Sequence, residues 1–354
     1  MKDVNILTIH KEPNYGAVLQ AYALYKAVES LGHIPHIINL SMDYRRFPYN
    51  FKYRILLPLY NWMKGYSYCF SMAEKFSKRY CPNQIGNFHS MTELSTYPWN
   101  SKDYFLIGSD QVWNPDITQN LRTAFCFSFL DKEAKNRYAY AASFGNIKDE
   151  EKRKAELDMD ALSLFQKIAV REKFGVDFLH LNGIEATEVI DPTLLLDDYS
   201  ELLPRRVRDK KNILFLSLSD TNEMNAFVKE ISARTGLSVD KYFGYLQPER
   251  RKNKEFIPVE EWLYNIASSG LVITDSFHAT VFSILFNRLF FVYISEPTKA
   301  FRISNLLDHL GIKGRIVNNA DDAITAPTID YNRVNKELST YRESSLNYLK
   351  SIFV

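Results

Sequence analysis

Four short stretches set reactive side chains where a strand hands over to a helix. In GLVITDSFHATVFSILFN (270–287), Asp275, Ser276 and His278 stand between a β-branched run and an apolar helix on which Phe277, Val281 and Leu285 recur at helical spacing. His278 falls in the first turn, off that apolar face, beside backbone N–H groups that no helical carbonyl can satisfy. An imidazole there can act as a general acid beside a bound anion; a satisfied structural histidine is the plainer alternative. In IAVREKFGVDFL (168–179), Arg171 closes a strand, where a guanidinium forks two hydrogen bonds to a carboxylate or phosphate, or else pairs internally with Glu172 or Asp191.

The other two stretches suit a hydroxylated ligand. IGSDQVWNP (107–115) gathers Ser109, Asp110, Gln111 and Trp113 after a buried strand. Asp110 can take a proton from a hydroxyl and Trp113 can offer a flat face to a sugar; an Asx-type turn with Trp113 in the core competes with that reading. HKEPNYGAVLQ (10–20) puts Asn14, Tyr15 and Gly16 at a turn where the backbone can approach a ligand, or where Asn14 simply caps the next helix. Lys299 and Arg302 follow the next strand after His278 and can reach its crevice, with solvated surface as the alternative.

Placing these residues takes alternating strands and helices. VNILTI (4–9), a helix at 17–32 and HIPHIINL (33–40) form one βαβ unit. The pattern breaks over 41–100, rich in aromatic and basic residues, which reads as a helical insertion. Strands resume at 103–109, 137–144, 167–172 and 186–191, with a charged helix at 149–166. A second series runs through strands at 212–218, 237–243, 270–276 and 289–294 with helices between them. The expected fold is α/β, two doubly wound Rossmann-like domains facing a cleft. Residues 1–200 form the first domain and 201–330 the second, with a C-terminal helix at 331–354 across the junction.

Composition narrows the function class. With 44 basic against 42 acidic residues and a formal net charge of +2, nothing favours nucleic acid as a partner. Three cysteines, Cys69, Cys81 and Cys126, lack metal-ligand spacing and fit a reducing cytoplasm. No apolar run is long enough to span a bilayer and no signal peptide opens the chain. The basic and aromatic residues of the insertion, Arg45, Arg46, Lys52 and Arg54 among them, can rest on the inner face of an anionic membrane and meet a lipid-linked acceptor; packing of a helical subdomain is the alternative. The DMD at 158–160 imitates a metal motif but lies inside the expected charged helix, so it reads as solvated surface, and no metal or cofactor is expected.

Taken in order, NYGAVLQAYAL, GSDQVWN, YAASFG, VRE, DPTLLL, TDSFHATVFSILFN and FRISNLLDHLGI resemble the polysaccharide pyruvyl transferase family over about residues 4–312. The resemblance implies a fold similar to the glycosyltransferase-B architecture, phosphoenolpyruvate as donor, a sugar as acceptor and a pyruvate ketal as product in capsule, exopolysaccharide or cell-wall synthesis. It puts the family's anion-binding arginine on Arg171, its essential histidine on His278 and the basic residue of the following helix on Arg302. The implied donor set is then Arg171, Ser276, His278, Ala279, Lys299 and Arg302. The acceptor set is Asn14, Tyr15, Gly16, Asp110, Gln111 and Trp113, with Asp110 as candidate base. Two departures stand out: Ser276 where some branches carry arginine, and Ala279 where glycine is common, which shifts weight onto Lys299 and Arg302. A nucleotide-sugar glycosyltransferase of the same architecture and a non-catalytic binding protein are the competing readings.

Overall fold

The computed structural model describes residues 1–42, 66–145, 156–243, 257–294 and 301–354. The chain divides into two compact units, Met1–Leu196 with Arg342–Val354, and Asp197–Tyr341.

Among the described residues the first unit is built on seven parallel strands. In chain order they are β1 (Asp3–Leu7), β2 (Ile34–Leu40), β3 (Gln84–Phe88), β4 (Tyr104–Ile107), β5 (Arg137–Ala142), β6 (Lys167–Val170) and β7 (Thr187–Glu188), and they lie in the order β3-β2-β1-β4-β5-β6-β7. Its helices are α1 (Tyr15–Ser30), α2 (Tyr66–Tyr80), α3 (Met91–Thr96), α4 (Pro115–Thr118), α5 (Met159–Leu162) and α6 (Lys173–Leu181). Strand residues Leu7, Ile38, Phe105, Ile107 and Ile168 share one core with Trp113, Phe125, Phe144 and Leu179. Parallel pairing puts every strand's carboxyl end on one edge, where the loops carry the candidate site.

Helix α1 is buried around most of its circumference, Gln20 included. A helix covered on all sides belongs to the interior rather than to an amphipathic surface layer. Gln20 Nε2 donates to the carbonyls of Ile9 and Ala17, each at 2.8 Å, and so ties the end of β1 to the first turn of α1.

Among its described residues the second unit has five parallel strands, β8 (Asn212–Ser217), β9 (Ser238–Phe243), β10 (Leu271–Thr274), β11 (Phe290–Tyr293) and β12 (Ile316–Val317), in the order β12-β11-β10-β8-β9. Helices α7 (Asn222–Thr235), α8 (Val259–Ser268), α9 (Phe277–Leu285), α10 (Phe301–His309) and α11 (Ala320–Thr325) accompany them. Ile213, Phe215, Ile273 and Phe291 pack with Met224, Phe227 and Ile231 of α7.

The last helix, α12 (Tyr331–Ser351), contributes to both units. Arg333 donates from Nη1 to the Leu310 carbonyl and from Nη2 to the Gly311 carbonyl, both at 3.1 Å. Further along, Arg342 Nε reaches the Leu194 carbonyl at 2.7 Å and the Tyr348 hydroxyl reaches that of Ala139 at 3.2 Å. Burial holds the Tyr348 phenol well above its usual range.

Two expectations are corrected. The 41–100 insertion is not purely helical: it holds β3, which joins the sheet beside β2 through pairs such as Leu40↔Phe88. QIGNF hides as a strand because this edge segment is largely exposed and interrupted by Gly86 at φ 66°. Of the helix expected at 149–166, residues 149–155 lie outside the described residues; Glu156 is helical, the helix breaks at Leu157–Asp158, and the short turn α5 follows, capped by Asp158, whose Oδ1 accepts from Ala161 N at 2.9 Å and whose Oδ2 accepts from the Ser128 hydroxyl at 2.6 Å. Asp158 is thus a cap and not part of a solvated helix face. The basic residues 45–54 lie outside the described residues.

Candidate functional site

At the carboxyl edge of the first sheet the loops after β4, β5, β6 and β7 converge on Arg171. Its Nη1 donates to Asp191 Oδ2 at 2.8 Å and its Nε to Glu172 Oε1 at 3.2 Å. Around this pair, Ser109 Oγ donates to Asp191 Oδ2 at 3.3 Å and Ser143 Oγ to Glu172 Oε1 at 2.7 Å. Thr193 closes the other side of Asp191, giving Oδ1 its N–H at 3.0 Å and its hydroxyl at 2.7 Å. Burial opposes the Arg171 charge, but Glu172, Asp191 and Asp110 together outweigh it and hold the guanidinium above its ordinary pKa. Its side chain is 4% exposed. Of the two possibilities the sequence left open, the internal ion pair is the arrangement that occurs, and the forked face of Arg171 is turned to acids of its own unit.

Asp110 sits above this network in a strained conformation. Its φ is 76°, a left-handed region that aspartate enters only when surroundings impose it. Its neighbours impose it: the Asp110 carbonyl accepts from Val112 N at 2.8 Å and Ser143 N at 3.0 Å, while Oδ1 accepts from Gln111 N at 2.8 Å. Beside it, β5 bulges between Ala139 and Ala142 with Ala141 at φ 55°. Gln111 Oε1 takes a 2.7 Å bond from Asn114 Nδ2, and Gly145 leaves room for both, since a Cβ there would lie 2.3 Å from Gln111 Oε1.

Several acceptor-side expectations change on this geometry. Trp113 is no sugar platform: it is fully buried, rests 5.2 Å from Phe144, and donates Nε1 to the Phe125 carbonyl at 2.8 Å. Tyr15 is likewise buried within α1. Asn14 acts as the N-cap of α1, accepting from Gly16 N at 2.9 Å and Ala17 N at 3.4 Å, so the Gly16 N–H is committed to the cap. The same loop holds a residue that sequence reasoning passed over. His10 is buried at the end of β1, with Nδ1 3.1 Å from the Thr8 carbonyl, and burial pulls its pKa down to about 4.

In the second unit the trio after β10 separates into three tasks. Asp275 reaches away from α9 and accepts from Leu218 N at 2.6 Å, Ser219 N at 2.9 Å and the Ser219 hydroxyl, clamping the loop after β8. Ser276 is the N-cap of α9; its Oγ accepts from Ala279 N at 3.4 Å and its own N–H is taken by Thr274 Oγ1 at 2.9 Å. Ala279 is fully buried and contributes no exposed surface. His278 is half-buried in the first turn, its ring 5.2 Å from that of Phe277, and the Arg302 guanidinium lies 5.6 Å from the same phenyl ring. His278 and Arg302, 24 positions apart in sequence, thus flank one aromatic ring. Lys299 lies outside the described residues. Among the described residues no group of three His, Cys, Asp or Glu side chains could hold a metal ion, and no helix is long and apolar enough to cross a membrane.

Comparison with solved structures shows the fold. Staphylococcus aureus MnaA, solved with UDP, superposes with a TM-score of 0.55 at 13% identity, covering 99% of this chain and 96% of that one. A putative UDP-N-acetylglucosamine 2-epimerase from Listeria monocytogenes gives 0.54 at 11% identity, with 97% and 90% covered. The O-GlcNAc transferase of Thermobaculum terrenum gives 0.50 at 7% identity, with 99% of this chain and 66% of that one covered. These are enzymes of the glycosyltransferase-B architecture, and the likeness is one of two parallel α/β sheets. A search among curated proteins found no match. Residues 14–296 match the family model of polysaccharide pyruvyl transferases, a span that takes in Asp110, Arg171 and His278, and the chain belongs to that family.

Proposed function

We propose that this protein transfers the enolpyruvyl group of phosphoenolpyruvate to a sugar and closes it into a pyruvate ketal during bacterial surface polysaccharide synthesis in the cytoplasm. The observation that carries the reading is the start of α9: in a chain of this family, His278 and Arg302 flank Phe277 at the carboxyl end of β10. Helix N–H groups and a guanidinium suit a small anion that carries both a carboxylate and a phosphate.

The chemistry assigns each group a task. His278 protonates the methylene carbon of phosphoenolpyruvate, leaving the adjacent carbon electrophilic. A sugar hydroxyl adds there, giving its proton to a base, for which Asp110 is the candidate, and phosphate leaves. A second hydroxyl of the same sugar then adds to the oxocarbenium carbon left by phosphate and loses its proton to solvent, closing the ketal. Arg171 serves here as a positioning residue: paired with Asp191 and Glu172, it fixes the loops that carry Asp110. Membrane contact by the 41–100 insertion, through Arg45, Arg46, Lys52 and Arg54, belongs to the same proposal; those four residues lie outside the described residues.

The likeness to a UDP-bound structure favours one alternative, a nucleotide-sugar donor. Calorimetric titration separates the two. Phosphoenolpyruvate should bind the wild type, bind Arg302→Ala at least about tenfold more weakly, and bind His278→Gln with little change. Turnover of His278→Gln should fall by about 10²–10⁴-fold. Binding of a UDP-sugar with no response to phosphoenolpyruvate would overturn the proposal.

A further inference from the structure

Beside the edge strand β3 lies an open groove of about 340 Å³ lined by Asn87, Phe88, Glu93, Thr96, Tyr97 and Pro98. Its construction is specific. Tyr97 is 38% exposed, yet its ring is braced by Phe88 at 5.4 Å and Trp99 at 4.6 Å. Trp99 is anchored in turn, donating Nε1 to the Leu94 carbonyl at 2.8 Å. Glu93 is held at one oxygen, with Oε2 accepting from His89 N at 2.7 Å. Gly86 makes the floor possible, because the Phe88 ring folds over it so closely that a Cβ would lie 2.3 Å from two ring carbons.

A rigid, part-exposed aromatic ring with a carboxylate, an amide and a hydroxyl around it matches one ligand class above others. A pyranose offers an apolar C–H face to the ring and equatorial hydroxyls to the polar rim. An anionic ligand is disfavoured by Glu93, and a purely apolar one would set its surface against the polar rim of Asn87, Glu93 and Thr96.

The position fits as well. Phe88 pairs with Leu40, and the registers Ile6↔Ile37 and Leu7↔Ile107, carried forward, bring Leu40 level with Ile9 and Ser109. The groove therefore opens at the same carboxyl edge as Asp110, three strand spacings away, about 14 Å. We infer that this groove is a subsite for a pyranose residue of the acceptor saccharide, distinct from the sugar that is pyruvylated. The inference deepens the proposed function and rests on its sugar acceptor.

The test uses the full chain and saturation-transfer difference NMR with methyl glycosides of glucose, galactose, mannose, N-acetylglucosamine, N-acetylgalactosamine and rhamnose. At least one should receive saturation from the protein. Tyr97→Ala should weaken its binding by about tenfold, while Tyr97→Phe keeps it. Glu93→Gln and Asn87→Ala should each weaken it without shifting the thermal midpoint. Affinity unchanged by Tyr97→Ala, or no transfer from any glycoside, overturns the subsite. Titrating phosphoenolpyruvate into the same samples distinguishes that failure from failure of the proposed function, because donor binding does not depend on Tyr97.

Discussion

Replacing Arg171 with alanine should damage the fold before it damages donor binding. The side chains of Arg171, Asp191 and Glu172 are 4%, 0% and 2% exposed, so removing the guanidinium strands two carboxylates in a site with almost no water. Breaking a buried pair in this way costs about 3–5 kcal/mol, because the remaining charge keeps its desolvation penalty and loses its partner. Divided by a urea slope of about 2 kcal/mol/M, that is a fall of roughly 2 M in the unfolding midpoint. The assay is equilibrium unfolding followed by tryptophan fluorescence, with Trp99 and Trp113 reporting on the first unit and Trp262 on the second. The loss should fall on the first unit's transition. A triple variant, Arg171→Met with Glu172→Gln and Asp191→Asn, should recover part of the loss, since the three groups are coupled. An unchanged urea midpoint for Arg171→Ala, together with lost affinity for phosphoenolpyruvate, would refute this reasoning and return Arg171 to the role of donor anchor.

Two further outcomes test the loops around that network. Unfolded histidine, near 6.5, takes up a proton before folded His10, near 4, so the His10 contribution is complete above pH 6.5 and is lost as pH falls toward 4. That window is worth up to about 3 kcal/mol, and His10→Gln should flatten the rise of stability between those pH values in thermal melts; an unaltered slope would contradict it. Gly145→Ala puts a side chain at φ 66° and a Cβ 2.6 Å from Asn114 Nδ2, so stability should drop by about 1–2 kcal/mol and the Asp110 loop should shift, read by melting temperature and turnover together.

What could be read from sequence was whatever depends on local spacing. Strand runs such as LVIT, the break at Asp275-Ser276, and Gly236 closing α7 in a left-handed cap all express short-range rules, and the strands and helices fell close to where those rules put them. Strand β3 escaped because an exposed edge segment need not alternate, and β12, only Ile316–Val317, is too short to show a period. Side-chain roles were harder. Trp113 and Tyr15 follow strand ends just as a ligand platform would, but only the fold shows Phe144, Phe125 and the buried α1 closing over them. Asp275 stands at the same strand-to-helix turn as Ser276 and His278, yet its carboxylate spans 56 residues to clamp Ser219.

The distribution of charge favours a division of labour between the two sheets. At the first sheet's edge a single guanidinium faces Glu172 and Asp191 directly and feels Asp110 as well, so an incoming anion would meet more acid than base there. A neutral sugar meets no such penalty. At the second sheet's edge the balance reverses. Asp275 spends its charge on Leu218 and Ser219 N–H groups, and the start of α9 is left with His278 and the nearby Arg302. The first edge therefore disfavours the anionic donor of the proposed reaction, and the second suits it. Exchanging that preference should be detectable: Arg302→Glu ought to abolish phosphoenolpyruvate binding while sparing glycoside binding at Tyr97, and loss of both together would mean the two sites are not separate.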